Sequence, residues 1–186
     1  SDGFFRYPSA LYSREITSIQ ELKDIQPIGE HHPWIEQQIK VVKEIRSHFH
    51  EEIASFYNIF SPISYLKRWF RTDQSRGDQV IAAFLKEDPE TLAHVLDVIA
   101  GDITILSRRL IQEAGVEGIY FSTQQVQDER VTEEEYRKFI EPSSIAVLEA
   151  ANEAGGINIL HICGFEGASN EVELFKDYPA QVINWA

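Results

Sequence analysis

The sequence predicts an α/β protein built on a parallel sheet, from three observations. Four short, nearly continuous apolar segments, at residues 53–60, 118–121, 157–160 and 182–185, alternate with stretches of helical period. No two of them are joined by a two-residue hairpin turn, so neighbouring strands need crossover connections. The 186 residues are 43% hydrophobic and 25% charged, enough for one globular domain and too few for two comfortable ones. Right-handed β-α-β crossovers then leave two architectures, an open doubly wound sheet or an arc of a (β/α)₈ barrel.

Residues 1–32 are mixed and polar, and a weak helical stretch at 18–25 is stopped by Pro27 and Gly29, so this part reads as a loop-rich lead-in to β/α units over 33–186. Pro33 sits at a first helical position, and Ile35, Ile39, Val42, Ile45 and Phe49 recur by threes and fours, predicting a helix to about His50. The β-branched and aromatic run 53–60, stopped by Ser61-Pro62, reads as a buried strand. Helical patterning returns at 76–85. Asp88-Pro89 then supplies an N-cap and a first-turn proline for a long helix with Leu92, Leu96, Ile99, Ile103, Leu106 and Leu110 on its core face and Gly115 at its left-handed end. Gly118-Ile119-Tyr120-Phe121 is the second strand, with a loop over 122–131 behind it. Thr132 and Glu135 form a capping box for a helix carrying Tyr136, Phe139, Ile140 and Leu148, kinked at Pro142 and ended by Gly155-Gly156. Ile157-Asn158-Ile159-Leu160 is the third strand, and a short helix over 170–176 precedes the fourth, Val182-Ile183-Asn184-Trp185.

Charge and cysteine usage narrow the function classes. With 17 Lys and Arg against 30 Asp and Glu the net charge is −13, which disfavours nucleic acid and anionic membrane surfaces and requires a local basic pocket for any anionic ligand. A single cysteine, Cys163, excludes an intrachain disulfide and fits a reducing compartment, so the expected address is the cytoplasm. No run approaches the roughly 18 apolar residues of a membrane span, and no signal-peptide pattern opens the chain. The sequence starts at Ser1, holds no Met and stops at Ala186 directly after an apolar run, as expected for a piece of something longer.

His161-Ile162-Cys163-Gly164 is the sharpest local feature, placed where the third strand ends. In extended backbone, residues two apart project to the same side, so the imidazole and the sulfur can converge on one atom. Nitrogen plus thiolate suits Zn²⁺ at roughly 2.0–2.3 Å, and a catalytic zinc site keeps three protein ligands and one open position. Two are visible here, and no second cysteine exists in the chain. The competing reading is a buried cysteine acting as a small hydrophobe beside a hydrogen-bonded histidine. His31-His32 and His48-x-His50 are poorer candidates, because helix positions two apart face roughly 200° from each other; they read as solvated or capping residues.

After the first strand, Lys67, Arg68 and Arg71 interleave with Trp69 and Phe70, and Arg76 follows closely. Such a cluster at a strand end is a place to hold a carboxylate or phosphate; the alternative is a solvated amphipathic helix. Glu133-Glu134-Glu135 complements a helix dipole and takes no catalytic role. Gly-x-Gly-x-x-Gly, the phosphate-binding P-loop, Gly-x-Ser-x-Gly and His-Glu-x-x-His are all absent, which removes the main support for dinucleotide and nucleotide-triphosphate chemistry. No residue is nominated as a catalytic acid, base or nucleophile.

The ordered set Phe60-Ser61-Pro62, Gly118-Ile119-Tyr120-Phe121-Ser122, Leu160-His161-Ile162-Cys163-Gly164 and Val182-Ile183-Asn184-Trp185 resembles the uroporphyrinogen decarboxylase superfamily over nearly the whole chain. The resemblance implies a partial TIM (β/α)₈ barrel of about four parallel strands, with only the middle strands present and the site at their C-terminal ends. It also implies one of two chemistries: cofactor-free decarboxylation, or zinc-dependent methyl transfer from a corrinoid to a thiol such as coenzyme M. His161 and Cys163 match the His-x-Cys of the methyltransferases, whose third ligand, usually a later cysteine, falls beyond Ala186. The decarboxylase tyrosine is not met where this chain reads Lys67-Arg68-Trp69, although Ser122 matches a serine that decarboxylases place near substrate. The family's key aspartate belongs to the region before Ser1.

The expected function is therefore zinc-dependent methyl transfer, with Zn²⁺ on His161 and Cys163, a methyl-corrinoid as co-substrate, a corrinoid protein as partner and a small molecule as acceptor. Ser61, Arg68, Arg71, Ser122, Gln124, Asn184 and Trp185 are the expected substrate-binding residues, with Thr123 beside them. A tetrapyrrole carboxy-lyase using Lys67, Arg68 and Arg71 on ring carboxylates is the alternative enzyme, and a non-catalytic fragment or binding module the alternative outside enzymes. Four β/α units make half of a closed barrel, so self-association through exposed barrel edges is expected.

Overall fold

A computed structural model describes residues 7–8, 16–49, 53–70, 74–164 and 169–185. Its four strands, β1 (Phe56–Phe60), β2 (Gly118–Thr123), β3 (Ile159–Ile162) and β4 (Val182–Trp185), pair in sequence order, and every pairing is parallel. An order without reversal carries each right-handed crossover the same way along the sheet, which gathers the helices on one face. That is the arrangement of an arc of a (β/α)₈ barrel, whereas a doubly wound sheet reverses its strand order. The helices are α1 (Pro33–Phe49), α2 (Pro62–Trp69), α3 (Gln74–Glu87), α4 (Pro89–Gln112), α5 (Glu133–Phe139) and α6 (Glu141–Glu153). Among the described residues no helix is long and apolar enough to cross a membrane.

Register decides which side chains meet the helices. Ile59, Phe121 and Leu160 share one row and are fully buried, with Ile183 at its end. The opposite face carries the rows Asn58, Tyr120, Ile159, Val182 and Phe60, Ser122, His161, Asn184. This second face is the barrel-lumen side, and it is the more polar one.

Local chemistry explains most boundaries. Asp88 caps α4 by accepting the Thr91 N–H at 3.0 Å, and all six expected core-face residues from Leu92 to Leu110 are buried. Gly115 (φ +73°) and Gly155 (φ +93°) adopt the left-handed backbone that ends the crossovers' helices. The Thr132–Glu135 capping box forms, and near Pro142 the expected kink becomes a break into two helices, α5 and α6. In the lead-in, Ser18 and Glu21 close a capping box on a 3₁₀ turn, Ile19–Leu22. Buried Asp102 of α4 accepts the Tyr7 hydroxyl at 2.5 Å and the Ile28 N–H at 3.0 Å, which ties the lead-in to the helical layer.

Several expectations are corrected. The first strand is an edge strand rather than a buried one; within it only Ile59 is buried. Ser61-Pro62 ends that strand and also opens α2, which is not a solvated helix, since residues 62–67 are all buried. The second strand runs on to Thr123, and the third occupies Ile159–Ile162 rather than 157–160, so His161 lies inside it. The short helix near 172 is a 3₁₀ turn, Val172–Phe175.

Candidate functional site

A cavity of about 210 Å³ opens at the C-terminal ends of β1, β2 and β3, walled by Phe60, Ser122, Thr123, Gln124, Cys163 and Gly164 from the sheet side and by Ser64, Lys67, Arg68 and Gly77 from α2 and α3. Chain direction puts it there: every β-to-α connection of a parallel barrel arc turns at this rim. The ladder holds the rim rigid beyond the strands, with the Ser61 N–H on the Ser122 carbonyl and the Cys163 N–H on the Thr123 carbonyl, both at 2.9 Å.

Cys163, two residues after His161 and just past the end of β3, forms part of the cavity wall, whereas His161 is not among the residues that line it. Its backbone is pinned by Asn170, which donates to the Cys163 carbonyl at 2.9 Å and accepts the Gln125 N–H at 2.8 Å. His161, half-buried, stacks on Tyr120 with ring centroids 5.1 Å apart, and its Nδ1 lies 2.6 Å from Asn184 Oδ1. An amide oxygen only accepts, so as a hydrogen bond this contact calls for the proton on Nδ1. Thiol sulfur and a neutral imidazole nitrogen are donors that fit zinc. Among the described residues no group of three or more His, Cys, Asp or Glu side chains could hold a metal.

The cationic cluster divides. Lys67 turns inward: its Nζ sits 2.6 Å from Asp78 Oδ1 and donates to the Gln125 carbonyl at 3.2 Å, and both charged groups are buried. Paired in this way, the ammonium joins α2 to α3 and to the loop after β2. Gly77 makes the approach possible, because a Cβ there would stand 2.9 Å from the Lys67 carbonyl oxygen. Arg68 turns the other way, exposed at the cavity, with its guanidinium 4.7 Å over the Phe60 ring. It makes no ion pair among the described residues. Arg71 lies outside the described residues.

Of the remaining expected residues, Ser122 and Gln124 line the cavity, and the Ser122 hydroxyl donates to Asn58 Oδ1 at 2.9 Å. Ser61 is wholly buried: its Oγ caps α2, accepts from Thr123 Oγ1 at 3.1 Å and lies 2.8 Å from Ser64 Oγ, which makes it a structural residue. Asn184 shares its row with His161, whereas Trp185 pairs with Ile162 in the adjacent row, and neither lines the cavity. His31 is solvated beside Glu36, and His32 Nδ1 caps α1 by accepting the Trp34 N–H at 3.1 Å, as expected; His48 bonds the Glu44 carbonyl, and His50 lies outside the described residues.

Sequence reasoning passes over Tyr120, Asn58 and Asp78. For the first two a signal exists: each interrupts an apolar strand, two residues before Ser122 and two before Phe60, at the period of one sheet face. Asp78 carries none.

Nothing among curated proteins matches the chain. The family profile for Uroporphyrinogen decarboxylase (URO-D) matches residues 9–185, nearly the full length. Together with four parallel strands in unreversed order and a cavity at their C-terminal rim, this places the chain: it belongs to the uroporphyrinogen decarboxylase family.

Proposed function

We propose that this chain carries the metal-binding strand end of a zinc-dependent methyltransferase of the family, transferring a methyl group from a corrinoid to a small-molecule thiol. One observation supports the reading: Cys163 lines the rim cavity, and His161, two residues before it at the end of β3, has its Nδ1 engaged by Asn184 Oδ1, which leaves Nε2 as the nitrogen for a metal. His161 and Cys163 are the residues that would hold zinc, and a zinc bound there would lower the pKa of a substrate thiol so that it reacts as a thiolate near neutral pH.

The protein's own groups do the rest. Phe60 gives the cavity an apolar wall, Arg68 at its edge offers a guanidinium that makes no ion pair among the described residues to an acidic group of the acceptor, and Ser122 and Gln124 offer polar contacts. About 210 Å³ is below the range of pockets for drug-sized ligands, roughly 300–1,000 Å³, which favours a small thiol. The second reading, a tetrapyrrole carboxy-lyase, is favoured by Ser122 and Arg68 lining one cavity.

Elemental analysis of protein purified from zinc-supplemented medium tests the choice. Stoichiometric zinc in the wild type, lost in Cys163→Ala while the circular dichroism spectrum is unchanged, is the expected result. Metal-free protein that binds porphyrinogen supports the carboxy-lyase instead.

A further inference from the structure

Three side chains from three adjacent strands meet on the lumen face: Tyr120 of β2, His161 of β3 and Asn184 of β4. His161 and Asn184 are register partners, so their side chains stand beside each other at the spacing of paired strands. Tyr120 belongs to the row below and spans β3 to reach β4, where its hydroxyl donates to Asn184 Oδ1 at 3.0 Å. On the way its ring lies against the imidazole, 28° from parallel. A single amide oxygen thus stands within hydrogen-bond distance of both groups, and the imidazole is constrained by a face contact as well as by a hydrogen bond.

We infer that Asn184, supported by Tyr120, is a positioning residue that fixes the tautomer and ring orientation of His161. The physical reason is acceptor capacity. With Oδ1 toward the ring, only the Nδ1–H tautomer makes the bond, and in the neutral ring that leaves Nε2 basic. Outer-sphere partners of this kind orient a ligating histidine and raise its basicity, and their loss typically costs about 10- to 100-fold in metal affinity. Asn184 touches no reacting atom; it acts through His161. The inference rests on the proposed zinc reading only for what Nε2 binds, since the tautomer is a property of the metal-free chain.

Two-bond ¹H–¹⁵N correlation spectra of histidine-labelled, metal-free protein test it, at a pH where the ring is neutral and with His161 assigned by its loss in His161→Gln. The expected result is an Nδ1–H tautomer in the wild type and in Asn184→Asp, whose carboxylate also only accepts. Asn184→Leu should shift the ring toward Nε2–H, and Tyr120→Phe should do so less. In a parallel Co²⁺ titration, Asn184→Leu should weaken binding about 10- to 100-fold, and Asn184→Asp should restore it. An Nε2–H tautomer in the wild type, or a tautomer that Asn184→Leu leaves unmoved, overturns the inference even if metal binds. The Nδ1–H pattern in a protein that binds no metal supports the inference and sinks the zinc reading.

Discussion

The two ends of β2 and β3 use the same strands for different ends. At the N-terminal end, buried Asn158 accepts the Ile119 N–H at 3.0 Å and donates to Asn152 Oδ1 at 2.7 Å and the Gly156 carbonyl at 3.3 Å, while its own N–H reaches Gln181 Oε1 at 2.7 Å. Each of those polar groups has a partner, and the backbones touch: a Cβ on Gly118 would stand 2.0 Å from the Ile157 carbonyl oxygen. At the C-terminal end, Ser122, Gln124, Cys163 and Arg68 face a cavity instead. Saturated hydrogen bonding and close backbone packing make one end a clamp; at the other end, groups left facing open space are available for a ligand. The division matches the barrel rule that stability sits at the bottom and chemistry at the top.

Overpacking the clamp should produce the largest effect. Gly118→Ala forces a methyl group against backbone that cannot swing aside, and should cost about 4 kcal/mol or more in urea unfolding. A loss below about 1 kcal/mol would mean that the lower end yields and that the contrast is overdrawn.

At the rim, Ser122→Ala removes one partly buried hydrogen bond to Asn58 and should cost about 1 kcal/mol. Its effect should fall on ligand affinity more than on stability. A cost equal to that of Gly118→Ala would erase the distinction between the ends.

The smallest effect separates charge from neutral hydrogen bonding. Glu135 closes the capping box at the start of α5 and pairs with Lys86 of α3, and these partners hold its carboxyl down at about 2 from an ordinary 4.5. The folded form therefore binds its proton less readily than the unfolded chain does. The contribution is present above pH 4.5 and is lost as the pH falls toward 2. For a solvent-exposed pair it should amount to less than about 1 kcal/mol. The stability difference between wild type and Glu135→Gln should shrink across that window; a difference that persists at the acid end would assign the effect to the neutral cap alone.

What was legible in the sequence is what is local. Asp88-Pro89 and Thr132 with Glu135 announce their helices because a cap is satisfied within one turn. Other features depend on tertiary neighbours. That β1 is an edge follows from strand order, and the inward turn of Lys67 follows from the approach of α3 at Gly77, which brings Asp78 within reach. No pattern within the residues around Lys67 distinguishes it from Arg68, which remains at the cavity. Membership of the family was legible in four short motifs spread across the chain, and the profile match over residues 9–185 bears it out.

The central claim is that one nitrogen from position 161 and one sulfur from position 163 share a metal. Zinc K-edge X-ray absorption on the zinc-loaded protein measures this directly. The expected coordination sphere contains sulfur at about 2.3 Å together with nitrogen at about 2.0–2.1 Å. A shell of nitrogen and oxygen alone in the wild type would contradict it.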